Sequence, residues 1–234
     1  MRLLIGEKYK DILSKSLATQ GFEVIFLPDN TRVDTRLSGH ADLMVCRVGE
    51  ELVAVKHMVK FLTSRGYSAV PAEREQNMDY PQDAGMCVCL TGKYAIFNPR
   101  TIDPQMSLRI WKYIPVRVAQ GYSKCAVCVV DEDSIITADS GIAAGAVKAG
   151  MDVLIVEAGH ILLDGFREGF IGGATFQSMP DKLFFTGTLD DHPNKDNILA
   201  YLQRKHIEPV FLTDKPLFDI GGAVALPYIR HNIN

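Results

Sequence analysis

Five segments of this chain share one pattern. They are His40-Ala41-Asp42-Leu43-Met44-Val45-Cys46, Asp83-Ala84-Gly85-Met86-Cys87-Val88-Cys89, Lys124-Cys125-Ala126-Val127-Cys128-Val129-Val130, Ile171-Gly172-Gly173-Ala174-Thr175-Phe176-Gln177 and Ile220-Gly221-Gly222-Ala223-Val224-Ala225-Leu226. Each opens on one variable, often polar residue. Small residues follow at the next one or two positions, and then an apolar run of strand length. The second positions, 41, 84, 125, 172 and 221, are spaced 43, 41, 47 and 49 apart. Self-similarity at such a period marks a repeat architecture built from one supersecondary unit.

The unit reads strand, turn, strand, helix, strand. In the first repeat these are 41–46, Gly49, 51–55, 56–65 and 68–72. The second has strands at 84–90, 94–98 and 114–119, with a short or irregular helix in 101–112 because Pro104 interrupts it. The third has strands at 125–130, 134–138 and 152–157 and a helix over 141–149 capped by Ser140. The fourth has strands at 172–177, 183–187 and 208–213 and a helix over 195–206. The fifth offers only its first strand, 221–226. Its missing strand, helix and strand stand before any repeat, at 2–6, 7–20 and 23–28, where apolar periodicity and Gly21 mark the helix and its end. Joining the two ends gives a spacing of 54, close to the others. The expected architecture is one α/β domain over 1–234, a ring of five units closed by pairing the terminal segments. Closure also removes sheet edges that would need protection.

Composition narrows the functions open to such a chain. The 234 residues carry a net charge of −3, which sets up no general field for nucleic acid. No apolar run approaches a membrane span. The start, Met-Arg-Leu-Leu-Ile-Gly-Glu-Lys, meets charge too early for a secretory signal. Five cysteines form no disulfide-scaffold pattern, so a reduced, cytoplasmic protein is expected. Cys87 with Cys89, and Cys125 with Cys128, have short metal-like spacings. Both pairs fall inside predicted strands rather than on loop-borne turns, so no metal is expected, and no other cofactor. The glycine-rich stretch 165–173 opens no helix of the kind a dinucleotide fingerprint needs.

Five strand-strand-helix-strand units in a closed ring resemble the pentein fold, the five-bladed β/α propeller of the guanidino-group-modifying enzymes. Closer still, the chain is similar to a bacterial family of unknown function with this fold. The superfamily holds arginine and agmatine deiminases, dimethylarginine hydrolases and amidinotransferases. It also holds a non-catalytic binding protein, translation initiation factor six. In the catalytic members a Cys thiolate attacks the guanidinium carbon at one mouth of the central channel. A His transfers protons and carboxylates hold the cation.

That resemblance implies a nucleophile in the last repeat, in a motif like Gly-Gly-x-His-Cys. Here Val224 and Ala225 stand at the His and Cys positions, and no Cys follows Cys128. Ile171 and Ile220 likewise replace the Glu of the family's Glu-Gly-Gly element. One fragment matches: His40-Ala41-Asp42 resembles the deiminase His-x-Asp, with His40 as acid/base and Asp42 on the guanidinium. Strand alternation would put both on one face. The family's nucleophile lies about two repeats after that His, and there stands Lys124-Cys125. Cys125 is therefore either the nucleophile of a ring with rotated roles or a buried structural thiol.

Asp83 and Lys124 share the aligned position of His40 and would ring the same mouth, either binding substrate or pairing with each other. Glu157 and His160 lie on a loop leading to that mouth and are either further substrate-binding candidates or part of a solvated loop; Asp219 and Glu168, just before the Gly-Gly strands, are weaker candidates of the same kind. Two functions remain open. One is a Cys/His-dependent hydrolase or transferase acting on a guanidine- or amidine-like small molecule in the channel. The other is a non-catalytic platform for a partner.

Overall fold

The computed structural model describes residues 1–227. In chain order the elements are β1 (Arg2–Gly6), α1 (Lys10–Thr19), β2 (Glu23–Leu27), β3 (Val45–Val48), β4 (Glu51–Ala54), α2 (Lys56–Ser64) and β5 (Ala69–Pro71). There follow β6 (Cys89–Leu90), β7 (Tyr94–Phe97), α3 (Pro104–Ser107), β8 (Ile114–Arg117), α4 (Ser123–Ala126), β9 (Val127–Val129), β10 (Ser134–Thr137), α5 (Ser140–Lys148) and β11 (Asp152–Ile155). The last are β12 (Thr175–Met179), β13 (Lys182–Phe185), α6 (Lys195–Arg204), β14 (Glu208–Phe211) and β15 (Val224–Ala225).

The strands form five three-stranded sheets with one plan: β15-β1-β2, β3-β4-β5, β6-β7-β8, β9-β10-β11 and β12-β13-β14. In each, the first strand runs antiparallel to the second and the second parallel to the third. A parallel pair needs a crossover, and the helix of each unit supplies it. The first sheet joins the two ends of the chain, with Leu3 opposite Ala225 and Leu4 opposite Val224. The middle strands β4, β7, β10 and β13 are almost wholly buried, whereas β5, β8, β11 and β14 are largely or partly exposed.

Shared cores link the sheets in cyclic order. Leu4, Val224 and Leu226 pack with Val45 and Val53, and those with Met86, Val88 and Phe97. Cys89 and Ile96 pack with Val127 and Ile135. Cys128 and Ile136 pack with Leu183 and Phe185. Phe176 and Phe184 return to Leu3 and Ile5 of the first sheet. Five such sheets fit a five-fold pseudosymmetric arrangement.

The middle and outer strands fall within one or two residues of expectation. The aligned first strands begin later than expected: at Val45, Cys89, Val127, Thr175 and Val224. The small residues ahead of three of them lie in single helical turns, Ala41–Leu43, Gln82–Ala84 and Ser123–Ala126. Backbones also approach closely ahead of the inner strands. A Cβ on Gly172 would stand 2.2 Å from the Val127 carbonyl oxygen, too close for any side chain. The cap of α5 is Asp139, not Ser140: its Oδ1 accepts from the Ile142 N–H at 2.8 Å. Asp and Ser cap equally well, and here the Asp139 side chain is the one placed to reach the orphan N–H.

Candidate functional site

The turns that precede the inner strands carry the polar side chains. His40 leads into the Ala41–Leu43 turn with backbone φ −79° and ψ 107°, and Asp42 lies within it. Cys125 sits in α4. Asp219 comes from the segment before Gly221. All four are at most 3 % exposed. The Cys125 Sγ donates to Asp42 Oδ2 at 2.7 Å. One ligating atom each from His40, Asp42 and Cys125 lies within 4.8 Å of the others. His40 Nε2 stands 4.0 Å from Asp219 Oδ1.

Asp219 is clamped. Its Oδ1 accepts from the Gly221 N–H at 2.8 Å and its Oδ2 from the Phe170 N–H at 2.9 Å. Gly173 makes room for it, since a Cβ there would fall 1.8 Å from Oδ1. Gly221, at φ +69°, faces the other carboxylate: its Cβ would meet His40 Cα at 2.6 Å and Asp42 Oδ1 at 2.7 Å. The two Gly-Gly pairs therefore shape the pocket that holds the carboxylates.

Spacing did not reveal two other groups. Cys87 Sγ stands 3.8 Å from Cys125 Sγ and 3.8 Å from Asp42 Oδ2. The buried Tyr9 hydroxyl donates to the Asp219 carbonyl at 3.4 Å. Leu43, Ala84, Cys87 and Cys125 form a small apolar collar, with Tyr122 and Phe170 against it. Asp83 lies beside this collar, not in the cluster, and its Oδ2 accepts the Tyr122 hydroxyl. His40 Nε2, Asp42 Oδ1 and Asp83 Oδ1 are buried and have no hydrogen-bond partner among the described residues. Buried polar atoms are normally satisfied, so these three are exceptions that call for a partner.

Three expected members stand elsewhere. Glu157 and His160 are exposed; Glu157 lines a cavity with Asp139, Glu168 and His192, and the His160 ring stands 5.4 Å from that of His192. Lys124, next to Cys125 in sequence, turns away into a cavity of about 330 Å³ with Leu90, Thr91, Glu132 and Gln177, at the hairpin ends of the strands. A strand would have carried His40 and Asp42 to one face by alternation. The helical turn brings them together by a different geometry, and the same kind of turn aims Cys125 inward.

The electrostatics follow from burial. Burial raises the Asp42 carboxyl above its ordinary range, against the pull of His40, Cys125 and Lys124. The Cys125 thiol is held well up by its contact with Cys87, by burial and by the Asp42 charge. Burial likewise raises Cys87. Cys46 and Cys89 are pushed up to about 12 and Cys128 to about 11, chiefly by burial, which marks them as inert core thiols. Burial works against the Lys124 ammonium, yet Cys89, Asp42, Cys125 and Cys87 raise it overall. A cavity of about 480 Å³ is lined by Lys8, Tyr9, Leu163, Phe166, Phe218 and Asp219. No helix among the described residues is long and apolar enough to cross a membrane.

The fold has known relatives. DDAH from Pseudomonas aeruginosa in complex with citrulline superposes with a TM-score of 0.52 at 8% identity, covering 90% of this chain and 92% of that one. Agmatine deiminase of C. jejuni gives 0.54 at 10% identity, covering 91% and 87%. SxtG, an amidinotransferase from Microseira wollei in the saxitoxin biosynthetic pathway, gives 0.56 at 8% identity, covering 90% and 87%. These likenesses show the fold, that of the pentein guanidino-group-modifying enzymes. No curated protein sequence matches the chain. A family model does so over residues 4–224, nearly the whole length, and the chain belongs to that family, described as Family of unknown function (DUF6873).

Proposed function

We propose that this chain is a closed five-bladed propeller, a single domain, that acts on a guanidine- or amidine-like small molecule as a hydrolase or transferase. Cys125 is its nucleophile, His40 its acid/base, and Asp42 with Asp219 its cation-holding carboxylates. One observation carries the reading: thiol, imidazole and two carboxylates from three sheets converge in one buried cluster, with Cys125 Sγ 2.7 Å from Asp42. The fold neighbours include proteins named for deiminase and amidinotransferase activity.

The free site keeps the thiol protonated, because burial and negative neighbours disfavour a thiolate. A bound guanidinium reverses this. Its planar N–H groups fill the open acceptor Asp42 Oδ1 and its charge stabilises the Cys125 thiolate. His40 takes the Cys125 proton, the thiolate bonds to the central carbon, and His40 returns that proton to the amine that departs as its C–N bond breaks. The resulting thiouronium is released when water, or an acceptor amine in a transferase, adds to the same carbon and the C–S bond breaks. The departure from the last-repeat motif is then a change of blade.

Chloroacetamidine, a guanidinium mimic that alkylates thiols, tests this against iodoacetamide. Expected is a single adduct on Cys125, formed far faster than with iodoacetamide and slowed about 10²–10⁴-fold in His40→Ala. Labelling without selectivity would remove Cys-based guanidine chemistry and leave a non-catalytic platform.

A further inference from the structure

Cys87 takes no part in that chemistry, yet its sulfur is in contact with that of Cys125, 3.8 Å away. We propose that Cys87 and Cys125 are an oxidative modification site: a hydroperoxide links them as a disulfide, and a small thiol such as glutathione reopens it. Both are free thiols. A disulfide holds its sulfurs about 2.05 Å apart, so closing the 3.8 Å gap takes a movement of about 1.8 Å. Neither residue is held in a sheet ladder. Cys87 lies between the Gln82–Ala84 turn and β6, and Cys125 lies in the single turn α4. Cys46, Cys89 and Cys128 are instead fixed within β3, β6 and β9. The link would join two segments 38 residues apart, one ahead of β6 and the other ahead of β9.

The surroundings handle the protons. Cys125 Sγ already donates to Asp42 Oδ2 at 2.7 Å, and burial raises that carboxyl, so it can take the proton. The Cys125 thiolate attacks one peroxide oxygen and the O–O bond breaks. The other oxygen leaves as water or an alcohol, with the proton from Asp42, and Cys125 becomes a sulfenic acid. The Cys87 sulfur then attacks the Cys125 sulfur. The S–O bond breaks, and hydroxide departs with the Cys87 proton as water. Burial raises the Cys87 thiol, while hydrogen bonds from the Cys125 thiol and from the Cys125 and Lys124 backbone N–H groups work against that rise. In sum the two thiols give up two electrons and two protons, and the peroxide is reduced by them. Without Cys87, further peroxide would carry Cys125 to the sulfinic acid, which thiols do not reverse. The linkage silences Cys125 as a nucleophile, a consequence that rests on the function proposed above; its formation does not.

The test takes the full chain, reduced and then freed of reductant, through graded hydrogen peroxide, with its peptides mapped under non-reducing conditions. Expected is the loss of two hydrogens per chain, carried by one linked peptide pair that holds Cys87 and Cys125. Chloroacetamidine labelling of Cys125 should fall at least about 100-fold and return with glutathione. In Cys87→Ser and, as a second replacement, Cys87→Ala, the link should be absent and Cys125 should pass to the sulfinic acid, so that glutathione no longer restores labelling. Peroxide that leaves the parent unlinked, carries its Cys125 straight to the sulfinic acid or links other cysteines would overturn the proposal. So would labelling that glutathione restores equally in both Cys87 variants. Labelling of the reduced parent reads the catalytic role separately. A Cys87–Cys125 link without selective labelling would sink only the enzyme reading, and selective labelling without the link only this one.

Discussion

Single atoms decide what this site tolerates. Gly221 has φ +69°, and a Cβ there meets His40 Cα at 2.6 Å. Gly221→Ala adds left-handed strain to a backbone collision, so it should cost about 3 kcal/mol and lower the thermal midpoint by about 6–12 °C, with Cys125 labelling lost. Asp42→Asn should separate stability from function. Burial raises the folded-state pKa of Asp42 above its unfolded value, so ionising it opposes folding. That cost is absent in acid, grows as pH rises through the unfolded pKa of about 4, and is complete above the folded pKa. Asp42→Asn should melt higher than the parent near neutral pH and alike at low pH, while labelling disappears. A midpoint that falls near neutral pH would contradict this. Residue types at the repeat spacing made His40, Asp42 and Cys125 legible, because only a few chemistries use that trio. Cys87 was not legible as their neighbour, since Cys87 and Cys89 look alike in a strand and only the turn before β6 separates them. Glu157 and His160 lie on an exposed loop, and the path of a loop leaves no mark in composition.

Among the elements, strand–helix–strand crossovers were readable because apolar runs, glycine stops and helical periodicity each extend over several residues. β1 lies at its expected bounds, and α2 and α6 end within two residues of theirs. Single helical turns were not readable, since four residues carry no periodicity. At α5 the two readings of the cap separate cleanly. Asp139→Ala should cost about 1 kcal/mol in chemical denaturation, through loss of the bond to Ile142. Ser140→Ala should stay within about 0.5 kcal/mol of the parent. The reverse order would restore Ser140 as the cap.

On the scale of the whole molecule, each sheet shares a core with the next and the last with the first. Damage to one sheet should therefore spread. A chain ending at Ala223 loses β15 and the buried Val224 and Leu226 from the core that also holds Leu4 and Val45. It should lose about 4 kcal/mol or more and melt about 10–15 °C lower, in one transition followed alike by far-ultraviolet and near-ultraviolet dichroism. Two separated transitions would mean that the sheets melt as independent units.

The pairing of Leu4 with Val224 also bears on biosynthesis. A ribosome adding about 5–20 residues per second delivers β1 some 10–45 s before its inner partner. Through that interval the first sheet is a two-stranded ribbon with an unpaired inner edge and exposed leucines. Until β15 is translated that edge stays open to chaperones and proteases, and its pairing with β1 closes it.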